Sequence, residues 1–338
     1  MDTLRGLRLL AKCKTVFLTH SISMDYSLRW GARSFLVLPI STKKRVVVNL
    51  SHGVSIKRLL YTSNKAMLAY HDRMAYRGAE RRGYAGMLAA SDVDGYVMAS
   101  MYYPLNYQQI WTTGIPRHDF LSMDEARLPN YIRQSLSRIR GVVQGKRLVL
   151  YAPTYRQTNV STSAHYYHFS DDEIARLRAV LKSHGAVLGY RPHYFKNSND
   201  YFNMDQYVDG DCILDMSQAV VSDISALIRE CEAVITDYSS VYTEALYLNK
   251  PGLCFAYDLE EYNQNQDGLL YDPNLIFSNR VFKDFDALLA GLENCLKDPP
   301  HADGDAGLTR SLFFKFNDDH NAERVCNRVK QELARMGH

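Results

Sequence analysis

The 338-residue sequence holds no apolar run approaching the ~18 residues a bilayer-spanning helix needs, and it does not open on a basic-then-apolar leader. A membrane-spanning chain and a secreted one are therefore poor readings. It lacks any CxxC: Cys13, Cys212, Cys231, Cys254, Cys295 and Cys326 lie far apart. That excludes a zinc ribbon, argues against a disulfide framework and makes reduced thiols the expectation. Walker loop, GxGxxG, HExxH and GxSxG are all missing. Their absence counts against a P-loop NTPase, a nicotinamide enzyme, a zincin and a serine hydrolase. Asp-x-Asp does occur, at Asp92/Asp94, Asp209/Asp211, Asp284/Asp286 and Asp303/Asp305, but four scattered copies in an Asp-rich chain carry no metal signal.

What is present is globular. Hydrophobic residues make up 46% and charged residues 23%, which leaves disorder and coiled coil as poor readings. The length suits two domains. The formal net charge of +3 hides a division. Residues 1–146 carry 22 Lys and Arg against 9 Asp and Glu, a net of +13; residues 147–338 carry 18 against 28, a net of −10. A basic half joined to an acidic one implies different jobs for the two.

Both halves alternate between short apolar runs and helical periodicity. The first half predicts strands at Thr15–Thr19, Ser34–Pro39, Arg45–Leu50, Tyr96–Ala99 and Gln109–Thr112, with a helical stretch from about Asn64 to Ala90. The second predicts strands at Arg147–Tyr151, Ala186–Arg191, Cys212–Asp215, Ala233–Thr236 and Gly252–Ala256. Helices are expected at Asp171–Ser183, Ser222–Arg229, Ser240–Leu248 and Asp319–Met336, and a joint at Arg140–Gly145 after the helix Leu128–Ile139. Such alternation implies α/β architecture with helix-covered parallel sheets, and ligands at the carboxyl ends of the strands.

Five segments stand out. In AVITDYSSVYTE (Ala233–Glu244), a buried strand runs through a polar turn into a helix. Free N–H groups there, with the Ser239 and Ser240 hydroxyls, suit an anion. Glu244, one turn on, is placed to reach ribose hydroxyls; ordinary N-capping explains the same residues equally well. In NLSHGVSIK (Asn49–Lys57), His52 follows a strand and precedes Gly53. Imidazole there can take a proton from a hydroxyl nucleophile, Gly53 permits close approach, and Lys57 is available to phosphate. A histidine satisfied by its own turn is the plainer alternative. YAPTYR (Tyr151–Arg156) offers Thr154 and Arg156 after a strand, and YRPHYFK (Tyr190–Lys196) offers Arg191 and His193. TGIPRHD (Thr113–Asp119) reads mainly as a structural turn, with Arg117 and Asp119 placed to pair across it.

Taken in order, these segments, followed by Asn249–Pro251 and YDLEEY at Tyr257–Tyr262, resemble the CDP-glycerol glycerophosphotransferase family, the teichoic acid polymerases and primases. The resemblance covers about residues 45–265, and Asp319–Val325 looks like the family's last helix. It implies a GT-B fold: two Rossmann-like parallel-sheet domains facing a cleft. The expected units are an N-terminal acceptor domain at 1–142, a C-terminal CDP-donor domain at 143–310, and a terminal segment at 311–338 returning to the first domain. It implies transfer of a polyol phosphate from CDP-glycerol or CDP-ribitol to a hydroxyl of a polymeric or lipid-linked saccharide acceptor, with release of CMP. His52 and His193 match the family's two essential histidines. The matches depart from the family pattern in two places: Ser51 stands where Trp is usual, and Pro192 precedes rather than follows the second histidine. Thr154, Arg156, Arg191, Thr236, Asp237, Ser239, Ser240 and Glu244 are the expected donor-binding residues; Gly53 and Lys57 face acceptor or phosphate. No cofactor is required on this reading, and Mg2+ is compatible with it.

Basic clusters at Lys43–Arg45, Lys57–Arg58 and Arg77–Arg82, with the basic amphipathic opening Leu4–Lys14, suit peripheral attachment to the inner face of the cell membrane, in the cytoplasm. Two other readings fit parts of the pattern. One is a GT-B glycosyltransferase using a nucleotide sugar. The other is a non-catalytic binder of nucleic acid or anionic polymer through the +13 half; the phosphate-suited turns of the second half speak against it, so no nucleic-acid partner is expected.

Overall fold

A computed structural model describes residues 3–30, 33–37, 40–64, 74–154, 166–193, 203–298 and 305–337. The strands, in chain order, are β1 (Thr15–Leu18), β2 (Ser27–Trp30), β3 (Arg33–Val37), β4 (Val46–Asn49), β5 (Gly86–Leu88) and β6 (Ile110–Trp111) in the first half. The second half contributes β7 (Arg147–Tyr151), β8 (Ala186–Tyr190), β9 (Ile213–Asp215), β10 (Ala233–Thr236), β11 (Gly252–Phe255) and β12 (Val281–Phe282).

The first sheet is parallel, in the order β1-β4-β5-β6. Its central strands β4 and β5 are short but buried on both faces, which is why they read as unbroken apolar runs, whereas edge strand β1 leaves Phe17 exposed. Alternation sorts β4: Val47 joins the core formed by Val16, Leu18, Met87 and Met98. Val46 and Val48 face the other way, packing with Leu88, Trp111, Val325 and Val329. The last two belong to helix Asn321–Arg335, so the chain's C-terminal helix covers one face of the N-terminal sheet.

The second sheet is also parallel, in the order β12-β11-β10-β7-β8-β9. Leu148 and Leu150 of β7 pack among residues of helices Asn130–Val143 and Ile224–Glu230. Val149 and Tyr151 pack against helices Asp171–Ser183 and Phe285–Lys297 on the opposite face. Strand order runs outward from β7 through β8 to β9, then resumes at β10 on the other side. The switch point therefore lies between β7 and β10, where loops diverge and leave a crevice at the carboxyl ends.

Four expectations change. Tyr96–Ala99 is not a strand but the middle of helix Asp92–Met101, whose Ser91 side chain accepts the Asp94 N–H at its start. Of the helical stretch expected from about Asn64 to Ala90, residues 65–73 lie outside the described residues, Met74–Arg82 is a helix, and Gly86–Leu88 is β5. The Ser34–Pro39 run supplies β3, which pairs antiparallel with β2 as a separate two-stranded sheet. Helix Asn130–Val143 is longer than expected, and its Ile132, Leu136 and Ile139 sit in a core that runs across both halves and includes β7 and helix Ile224–Glu230 of the second. By packing, the chain crosses between halves before this helix, not after it.

The TGIPRHD turn holds the C-terminal helix in place. The Asp119 carboxylate, buried, accepts from the N–H groups of Asn321 and Ala322, both at 2.8 Å. It thus caps a helix 202 residues away in sequence, satisfying two of its orphan donors. The expected Arg117–Asp119 pair gives way to this cap. Asp119→Ala leaves both donors without their acceptor, the Asn321 N–H in a buried setting, and is expected to cost about 1–3 kcal/mol, read as a lowered midpoint in chemical denaturation.

Candidate active site between the two halves

A cavity of ≈ 400 Å3 opens at the switch point. Lys57 and Arg117 line it from the first half; Thr154, Arg191, His193, Ser239 and Ser240 line it from the second. Among the described residues, three cationic side chains thus face it, against one lining carboxylate, Asp223. Asp223 is turned to cap helix Ile224–Glu230, accepting the Ser225 N–H at 2.8 Å.

The walls are set by buried hydrogen bonds. Thr236 is fully buried and donates to the Ala152 carbonyl at 2.6 Å. One oxygen of Asp237 accepts from the N–H groups of Thr154 and Tyr238, each at 2.7 Å. These two residues tie the β7 loop to the β10 loop and form the wall behind Thr154 and Ser239. Arg191 is half-buried and donates to the carbonyls of Met216, at 2.8 Å, and Val221. Its guanidinium is therefore fixed before any anion arrives, as preorganised charge stabilisation requires. Ser239 accepts from the Val241 N–H at 3.3 Å, at the start of helix Val241–Tyr247.

His193 is lowered to about 4, by burial and then by Lys57 across the cleft. An arriving anion would offset both effects, so the imidazole is neutral before binding and gains basicity on it.

Glu244 lies elsewhere than the ribose contact expected of it. It is buried at the junction of the halves, its Oε1 3.5 Å from Arg117 Nε and 3.4 Å from His118 Nε2. Burial pushes its carboxyl up, but Arg117 and His118 more than reverse this, to about 2. Arg117 in turn donates from Nη1 to the His52 carbonyl at 2.7 Å. Gly53 completes the contact: a Cβ there would sit 2.9 Å from Glu244 Oε1, and its φ of +128° is one that L side chains rarely adopt. The helix that begins at Ser239–Ser240 is thereby joined, one turn in, to the turn that carries His52.

His52 itself lines a smaller neighbouring cavity and not the large one. The residue is exposed, yet its ring lies against protein on one side, 4.2 Å from the His20 ring centre. Desolvation, then His20 and Arg117, lower it to about 4. It is a neutral base at physiological pH. Arg156 falls outside the described residues. Arg117, His118 and His20 were not singled out as site residues by sequence; Arg117 had a visible signal in TGIPRHD, but its partners did not. Among the described residues, no three His, Cys, Asp or Glu side chains gather as a metal-ligand set.

The family model described as CDP-Glycerol:Poly(glycerophosphate) glycerophosphotransferase matches residues 3–331. The chain belongs to this family. Among curated proteins it is 28% identical to the teichoic acid ribitol-phosphate polymerase TarK of Staphylococcus aureus, over 72% of this chain and 45% of that one. It is 24% identical to a teichoic acid glycerol-phosphate transferase of the same species, over 93% of this chain and 82% of that one. The chain spans less than half the length of the ribitol-phosphate polymerases TarK and TarL that it matches. Solved structures of the wall teichoic acid polymerase TagF share the fold: one aligns at TM-score 0.73 and 16% identity, over 98% of this chain and 76% of that chain. The two parallel-sheet halves facing a cleft are thus a GT-B fold. A UDP complex of Staphylococcus aureus MnaA aligns more loosely, at TM-score 0.52 and 14% identity, over 98% of this chain and 79% of that chain.

Proposed function

We propose that this glycerophosphotransferase-family protein moves a polyol phosphate from CDP-glycerol or CDP-ribitol to a hydroxyl of a teichoic-acid-like acceptor, releasing CMP. The observation that carries the reading is the cation-lined cavity at the switch point, tied through Arg117 to His52 on the facing half. A TagF variant has been solved with CDPG, and the relatives' names specify both glycerol and ribitol phosphate. The donor diphosphate lies against Lys57, Arg191 and the Ser239–Ser240 turn. His52 takes the proton from the acceptor hydroxyl. The acceptor oxygen bonds to the polyol-side phosphorus, and the bond from that phosphorus to the bridging oxygen breaks. CMP leaves with the electron pair and is protonated by His193 or water. Positioning and charge stabilisation supply most of the acceleration.

The acceptor is a polymer or lipid-linked saccharide at the inner face of the cell membrane, where the basic half meets anionic lipid or polyphosphate. No described helix is long and apolar enough to cross a membrane. Incubation with a panel of CDP-polyols, nucleotide sugars and synthetic acceptors, read by mass spectrometry with and without EDTA, tests donor, acceptor and metal requirement together. UDP release from a sugar nucleotide, with no CMP from any CDP-polyol, overturns the reading.

The pH dependence follows from His52. A base lowered to about 4 stays deprotonated from pH 8 down to about 5. The acid limb of kcat/KM is therefore expected near pH 4, well below the ~6.5 of an ordinary histidine. A stopped-assay pH profile at subsaturating donor and acceptor checks it.

A further inference from the structure

The second cavity, ≈ 160 Å3, is built around His52 from a different set of residues: His20, Ser21, Met24, Leu59, Glu80 and their neighbours. Its polar side is held rigidly. Asp25 Oδ2 accepts from the N–H groups of Thr19 and His20, at 2.7 and 2.8 Å, and Oδ1 lies 3.2 Å from His20 Nδ1. Asn49, the last residue of β4, donates to the His20 carbonyl at 2.9 Å and accepts the Ser51 N–H at 2.9 Å. Ser51 has a left-handed φ of 62° and immediately precedes His52. One asparagine therefore fixes both the backbone of His20 and the turn that aims His52. The two rings meet edge to face. Glu80 accepts from the Ile22 N–H at 2.6 Å and from the Tyr84 hydroxyl, so its carboxylate is also fixed.

We propose that this cavity is the acceptor subsite, seating the terminal polyol unit of the acceptor beside His52, with His20 as a positioning residue. The inference rests on the transfer reading above. The volume is close to that of the roughly 150 Å3 apolar cavity that takes up one benzene, room for a three-carbon triol and too little for a nucleotide. Hydrogen-bonding groups at His20, Ser21 and Glu80 share the lining with carbon surface at Met24 and Leu59, a mixture that suits a short polyol. Glu80 and Arg81 both line the cavity, one charge of each sign, so it offers a phosphate no net attraction; the acceptor's phosphodiester stays outside the mouth and only its hydroxyl end enters. Arg117 brings the donor cavity to the His52 turn, and His20 brings the acceptor cavity to the same turn.

The test uses the full chain with CDP-glycerol and a synthetic acceptor ending in glycerol phosphate. Met24→Trp narrows the cavity at a side chain already 42% exposed. It is expected to raise the acceptor KM at least tenfold while the donor KM and the thermal midpoint stay within error. His20→Ala is expected to lower kcat about tenfold, to leave the donor KM unchanged, and to shift the His52 imidazole resonance; His20→Gln recovers part of the rate. An acceptor KM within twofold of wild type in Met24→Trp, or an unchanged kcat in His20→Ala, overturns the subsite while wild-type transfer stands. A wild type that releases no CMP with any acceptor overturns the transfer reading, and the subsite with it.

Discussion

His52→Ala is expected to lower kcat by about 10²–10⁴-fold, the range for losing a positioned general base, while CDP still binds as it does to the wild type. The separation follows from where the residue sits. Its ring is outside the donor cavity, whose cations are Lys57, Arg117 and Arg191. The one bond tying His52 to that cavity comes from its backbone carbonyl, which alanine keeps. The side chain is exposed and contributes little to the core, so the variant should fold normally. Steady-state rates, with CDP affinity by calorimetry on the same preparation, check both halves of the claim. Turnover within tenfold of wild type would remove His52 from the base role. A large loss of CDP affinity would move it into the donor site.

Five of the six strands in the second half's parallel sheet were legible almost residue by residue; the two-residue edge strand β12 was not. Arg147–Tyr151, Asp171–Ser183 and Ala233–Thr236 coincide with β7, the helix after it and β10. Doubly covered strands are uninterrupted apolar runs, and Ser170–Glu173 is a full capping box. The first half was harder. Strand β5 is only Gly86–Leu88, too short to show a period. The helix misread as a strand at Tyr96–Ala99 had a usable signal in Ser91 and Asp94, the capping spacing. For the site, the loops after β7, β8 and β10 converge because a switch point forces them together, so Thr154, Arg191, His193, Ser239 and Ser240 were readable as positions. The partners of Glu244 were not. No spacing rule links Glu244 to Arg117 and His118, more than 120 residues earlier. The charge division also takes on a sharper meaning. Among the described cations at the cavity, Lys57 and Arg117 come from the basic half. The acidic half therefore need not overcome its −10 alone.

Glu244→Ala is expected to be the most destabilising of these substitutions, and to slow catalysis without touching a substrate. Breaking a fully buried ion pair costs about 3–5 kcal/mol; Arg117 is 37% exposed and can turn to water, so the lower end of that range is expected. The buried His118 Nε2 also loses its neighbour at 3.4 Å. Glu244→Gln keeps the shape and loses the charge, so it should fall between alanine and wild type. The pH dependence has a definite sign. The folded carboxyl titrates at about 2, below its ordinary value near 4.5. Its stabilisation is therefore fully present above pH 4.5 and is lost as pH falls towards 2. The stability gap between wild type and Glu244→Gln, measured by urea denaturation, should accordingly close across that window. The catalytic effect comes through Arg117, which without Glu244 no longer holds the His52 carbonyl in one place. It should appear in kcat more than in the donor KM. A double-mutant cycle with Arg117→Lys, scored on kcat, should then show coupling of about 0.5–3 kcal/mol. Additive effects would mean that Glu244 supports the fold alone and that the donor helix and the His52 turn act independently.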